Sequence, residues 1–237
     1  MLSNMKVSEL SENTGVSIAS IKYYLRENLL FAGAVTSATR SDYDDTHVAR
    51  LRLIRALIDV GGLSVSAARA VLAAIDDEGM PLVDAFGVAQ AAVSVSLTST
   101  SEPSSASLAR VDQLKRERGW QTFERNPGEL IAARVMDTFT SIGRDDLLSL
   151  LEPYADAAEI VADADLSAVG AAGQASGGDR RSMVETVVVG TALGDALFAG
   201  LRRIAQENAS RQLGLPGSSL EPRSPARNPA HHPEDRS

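Results

Sequence analysis

The chain has 237 residues, 44% hydrophobic and 23% charged, with a net charge of −8. That length suits one large domain, or a small and a medium one. Cysteine is absent, which excludes a disulfide framework, thiolate zinc sites and cysteine-based redox sensing. Residues 1–75 carry eight Lys/Arg against seven Asp/Glu, and the remainder fifteen against twenty-four. This balance does not exclude a nucleic-acid partner, because local patches matter more than totals, but the bulk charge does not favour one. Aromatics make up only 4%, and an alanine-rich, aromatic-poor chain favours closely packed helices. The first ten residues, M-L-S-N-M-K-V-S-E-L, lack the apolar run of a signal peptide, so a cytoplasmic location is expected.

In chain order, Val7, Leu10 and Ser11 share one face of a helix that Gly15 ends. Ser17 caps a second helix running to about Glu27. Residues 31–43 (F-A-G-A-V-T-S-A-T-R-S-D-Y) read as an extended hairpin or wing. Asp44 or Asp45 caps a third helix through Ile58, Gly61-Gly62 breaks it, and Ser64 caps a fourth with Val65, Ala68, Leu72 and Ile75 on its inner face. Pro81 opens a helix to about Ser96. A polar Ser/Thr linker and a short charged helix follow, and Asn126-Pro127 starts the next. Further helices are expected at 127–142, 145–165 and 181–212, with the glycine-rich A-A-G-Q-A-S-G-G as the loop before the last. The apolar stretch 182–201 approaches the length of a membrane span, but it contains Glu185 and Asp195 and reads as a buried helix. The tail from Gly214 holds five of the nine prolines and is expected to be disordered.

On a helical wheel, residues 17–27 place Ile18, Ile21 and Leu25 on a buried stripe. Ala19, Ser20, Tyr23, Tyr24 and Arg26 fall opposite, with Lys22 at the margin. Small residues allow close approach, hydroxyls bond phosphates and cations attract them, so this face suits a DNA groove. Helix, tight glycine turn and second helix together make a helix-turn-helix.

The run V-S-E-L-S-E-N-T-G-V-S-I-A-S-I-K-Y-Y-L-R-E-N-L-L resembles the opening of the mercury-resistance regulator (MerR) family of bacterial transcription factors. The likeness continues through the wing ending in Tyr43, through H-V-A-R-L-R-L-I-R-A-L and through G-G-L-S-V-S-A-A-R-A-V-L, covering about residues 5–75. It implies that Ser17, Ala19, Ser20, Lys22, Tyr23 and Arg26 face DNA, with Arg40 and Tyr43 contributing from the wing. It also implies a homodimer that binds double-stranded promoter DNA and acts with RNA polymerase. Lys22 stands where the family has arginine, Leu25 where it often has glutamate, Asn28 where it has glycine, and T-R-S-D-Y replaces the usual wing motif. The long coiled coil by which the family dimerises is not visible after residue 75. The helical remainder loosely resembles the ligand-binding half of TetR-type repressors.

The expected fold is thus all-α with a small β wing. Residues 1–76 form the winged helix-turn-helix, 77–126 a connecting helix and linker, 127–213 a helical effector and dimerisation domain, and 214–237 a tail. No catalytic or metal-binding motif is present and no cofactor is implied, so an enzyme is not expected. His47 reads as a solvated residue in a first helical turn, and Asp76-Asp77-Glu78 as a solvated helix end. Trp120 reads as a core anchor, and otherwise as a wall of an effector pocket. The reading is a DNA-binding regulator responding to a small-molecule effector. The rival is a sequestering protein that keeps the helix-turn-helix for assembly, which a mobility shift with the protein's own upstream DNA separates from the first.

Overall fold

A computed structural model describes residues 5–37, 40–94, 102–123 and 126–213. The Ser/Thr linker and the tail from Gly214 expected above lie mostly or wholly outside these residues. Helices α1 (Val7–Thr14) and α2 (Ile18–Arg26) come first, then the strands β1 (Ala34–Ser37) and β2 (Arg40–Asp42). Helix α3 (Asp45–Arg55) runs on into a π turn over Ala56–Val60, and α4 (Val65–Asp76) and α5 (Leu82–Ser94) follow. Then come α6 (Ser105–Arg118), α7 (Pro127–Ser141), a 3-10 segment over Asp145–Leu150, α8 (Leu151–Ala175) and α9 (Arg180–Gln212). The chain divides at Ala196 into one unit, Met1–Ala196, and a second, Leu197–Ser237, of which the end of α9 is described.

The caps expected from sequence are in place. Gly15 adopts φ +67° and closes α1, and the Ser17 hydroxyl accepts from the Ser20 amide at the head of α2. Ser64 does the same for α4, and Asn126 accepts from Gly128 ahead of Pro127; Ser104, outside the expected set, caps α6 in the same way. Leu10, Ile21, Leu29, Leu51, Ile54, Leu57, Val71 and Leu72 are almost wholly buried and make the core under the helix-turn-helix. Each contributes roughly 1.5–3 kcal/mol of burial. A smaller core joins Val111, Ala133 and Met136, with Leu148 and Leu151 packed on it.

Three expectations change here. Residues 145–150 are 3-10 rather than α, because Pro153 has no N–H to return to the preceding turn and is accommodated only at the start of α8. Helix α8 then continues to Ala175 through most of the glycine-rich stretch. Gly173 faces Met183 so closely that a Cβ would lie 3.0 Å from its sulfur, and the chain leaves the helix only at Gly177 and Gly178. Finally, α9 is not a buried helix. Val184, Val187, Val188 and Ala192 join the helix-turn-helix core, but Leu197, Leu201 and Ile204 are exposed. Its approach to that core is close, since a Cβ on Gly61 would stand 3.3 Å from the Ala192 carbonyl oxygen. Among the described residues α9 is also the one helix long and apolar enough to cross a membrane.

Candidate nucleic-acid interface

Helix α2 turns Ile21 inward at 0% exposure and half-buries Leu25, while Ala19, Lys22 and Arg26 stay exposed. Ile18 differs from its wheel position. It is 39% exposed because it sits in the first turn, before α2 reaches the core. Ser17 and Ser20 pair through their hydroxyls at 2.8 Å beside it, at the helix N-terminus where a phosphate is favoured. The two tyrosines divide their work. Tyr24 packs against the core, and its backbone oxygen accepts from the amides of Leu29 and Leu30. Tyr23 stays half-exposed, tilted against Tyr24 with centroids 5.9 Å apart and carrying the Arg26 guanidinium 5.2 Å above its ring. Lys22, Tyr23 and Arg26 thus form an outward ledge with Ala19 leaving room beside it.

The exit of α2 is fixed by contacts no helical wheel reveals. Asn28 adopts φ +56°, the left-handed region in which asparagine is the best tolerated residue after glycine. This explains why the related motif has glycine there. The next carbonyl, of Leu29, accepts from Arg50 Nε at 2.8 Å. Arg50 is only 6% exposed, and its two terminal nitrogens clasp the Asp76 carboxylate. Asp76 also receives Arg181 from α9 at 3.3 Å. Asp76 is therefore the partner of a buried cation rather than merely solvated, while Asp77 and Glu78 stay exposed.

The wing stands on a second cluster. Strand β1 pairs with β2 antiparallel, Ala34 opposite Asp42 and Val35 opposite Ser41, and the ladder is irregular between Val35 and Ser37. Met5 and Tyr43 exchange backbone hydrogen bonds at 2.7 and 2.8 Å. Gly33 is required, because a Cβ there would meet the Asp42 carbonyl at 2.5 Å. His47 is 5% exposed and has Phe31 and Tyr43 edge-on at 4.5 and 5.1 Å, so it is a buried post rather than a solvated residue. Its Nδ1 lies 2.7 Å from Asp44 Oδ1. The Thr46 hydroxyl first and the His47 ring second hold the Asp44 carboxyl down at about 2, from an ordinary 3.8. Tyr43 is 7% exposed and serves as core at the wing's root. Arg40 lies in β2, with its side chain outside what is described.

Of the sequence-selected residues, Ser17, Ala19, Ser20, Lys22, Tyr23 and Arg26 share one helix and are all exposed or half-exposed. Trp120 lies elsewhere. Its indole N–H donates to Glu159 at 2.8 Å and Arg118 sits 5.8 Å from its ring, so it is tied into a surface charge cluster. Among the described residues no group of three acidic or histidine side chains could hold a metal ion.

Residues 5–75 match the MerR HTH family of regulatory proteins. The crystal structure of the "putative transcriptional regulator SCO5550" from Streptomyces coelicolor A3(2) is similar along nearly the whole chain. It is 31% identical, with a TM-score of 0.61, over 92% of this chain and 100% of that one. This chain belongs to the MerR family. No curated protein matches it. As a MerR-family member it is a DNA-binding transcriptional regulator, and the likeness to the Streptomyces protein extends that kinship well past the helix-turn-helix into the helical remainder.

Proposed function

We propose that the chain is a sequence-specific regulator that binds a two-fold promoter site as a homodimer and acts there on RNA polymerase, in the cytoplasm. Helix α2 enters the major groove with Ser17, Ala19, Ser20, Lys22, Tyr23 and Arg26 toward DNA, and Arg40 of the wing reaches a neighbouring phosphate. Tyr43 supports the wing from within. The observation that carries this is the outward ledge on α2, where exposed Lys22 and an Arg26–Tyr23 stack stand back to back with buried Ile21. The helical remainder, from α5 onward, serves dimerisation and the effector. A groove of about 410 Å³ between α5 and the start of α7 supports a small, largely apolar effector. Val83, Val88 and Phe123 line it, and a Gln90–Asn126 amide pair marks its rim. It is a better seat than Trp120, whose ring and nitrogen are already engaged.

The test is a mobility shift on the protein's own upstream DNA. Lys22→Ala is expected to weaken binding and to reduce the slope of log affinity against log salt by about one. Tyr23→Ala is expected to weaken binding through loss of the stacked Arg26. Unchanged affinity in both variants would show that another face reads the DNA.

A further inference from the structure

Helix α2 ends on an acid. Glu27 is its C-cap and directly follows Arg26, the outermost cation of the ledge on that helix. A carboxylate at this place repels phosphate, and it competes with phosphate for the neighbouring guanidinium. Glu27 Oε1 stands 3.7 Å from Arg26 Nε, close enough to attract it and too far for a hydrogen bond. Left free, this acid would neutralise the cation beside it.

It is not left free. Arg69 reaches it from α4, forty-two residues along the chain. Arg69 Nε donates to the Glu27 carbonyl oxygen at 2.8 Å, and Arg69 Nη2 donates to Glu27 Oε2. The carbonyl is one that a helix end leaves without an intrahelical partner, where a cation is favoured. A guanidinium fork serves both acceptors at once, which the point charge of a lysine does not. The Glu27 side chain is 28% exposed and that of Arg26 is 72% exposed, so the acid is drawn in toward α4 while the cation stays in solvent. The Arg26 guanidinium lies over Tyr23 instead. We propose that Arg69 is a positioning residue for DNA reading: by engaging Glu27 it keeps that carboxylate off Arg26 and off the phosphate backbone. Arg26 then brings its full charge to the DNA. This role rests on the DNA face proposed above, and Arg69 acts in it through Glu27, not as a phosphate ligand.

Full-chain variants, titrated onto the protein's own upstream DNA over a salt series, test it. Arg69→Ala should lower affinity about fivefold at low salt and reduce the slope of log affinity against log salt by about one. Arg69→Gln keeps an amide donor for the Glu27 carbonyl, and it reads the same loss of charge should the alanine variant unfold. Glu27→Gln, which is isosteric, should bind at least as tightly as wild type. Arg69→Ala combined with Glu27→Gln should return to within about twofold of Glu27→Gln and regain the wild-type slope, because no acid is left to claim Arg26. An Arg69 that merely anchors the helix end, or that binds phosphate itself, allows no such rescue. A double variant as weak as Arg69→Ala therefore overturns the proposal, as do Arg69→Ala and Arg69→Gln at wild-type affinity and slope. Arg26→Ala in the same titration separates the two readings. If it weakens binding while the Arg69 variants give either adverse result, the positioning role alone falls. If it binds as wild type does at every salt concentration, the DNA reading of that face falls and the positioning role falls with it.

Discussion

Removing the Asp76 carboxylate tests whether the clasp on Arg50 fixes the exit of the recognition helix. Arg50 is 6% exposed and spends its donors on the Leu29 carbonyl at 2.8 Å and on both oxygens of Asp76. Asp76→Ala leaves two guanidinium donors without acceptors. Breaking a fully buried pair by deleting one partner costs about 3–5 kcal/mol. The Asp76 side chain is itself 41% exposed, so water reaches the vacated side, and we expect a loss of about 2 kcal/mol. That is roughly thirtyfold in the folding equilibrium, at about 1.4 kcal/mol per factor of ten. The assay is urea unfolding of the full chain followed by circular dichroism, reading the midpoint at unchanged slope. Arg50→Met with Asp76→Ala removes the stranded charge, so the double variant should lose about 1 kcal/mol less than the sum of the singles. Operator affinity should fall several-fold in Asp76→Ala under conditions where it remains folded, because the Leu29 carbonyl is no longer held from behind. A midpoint within about 0.5 kcal/mol of wild type, or strict additivity in the double variant, would refute the reasoning.

At Asn28, held at φ +56°, Asn28→Gly should leave stability within about 0.5 kcal/mol, while Asn28→Val should cost about 1–2 kcal/mol in thermal melts. Equal melting temperatures for the two would show that the left-handed turn does not persist. The Asp44 cap predicts an acid limb: a carboxyl held at about 2 in the folded chain and near 3.8 unfolded stabilises above pH 4. That contribution is lost as pH falls through 2. The gap in melting temperature between wild type and Asp44→Asn should therefore close between pH 4 and 2, and a constant gap would contradict it.

The helix-turn-helix was legible because its signals are local. Ser17, Gly15 and Ser64 cap what they are placed to cap, and Ile21 and Leu25 fall on the inner side at the spacing a helix requires. Long-range pairings were not legible. His47 looks like a solvated first-turn residue until Phe31, sixteen residues earlier, closes over it together with the nearby Tyr43. Asp76 looked solvated because its partner, Arg50, sits twenty-six residues earlier. The apolar run in α9 suggested burial because composition counts residues without saying how many neighbours the fold supplies. Among the described residues one stripe of that helix, Val184, Val187, Val188 and Ala192, finds them.

The backbone contact between Gly61 and Ala192 bears on how portable this DNA reader is. Winged helix-turn-helix segments look like cassettes that could be cut at the end of α4 and spliced to a new partner. Here Val184, Val187 and Val188 sit in the same core as Leu57, Leu72 and Ile75, so that cut removes part of the cassette's own interior. A chimera joined after Asp76 would expose an apolar socket, whereas one that also carried α5 and the first four turns of α9 would bring the missing walls with it. The smallest exchangeable reader is therefore α1 to α5 together with the start of α9, because Ala85 and Ala89 of α5 lie in that core as well.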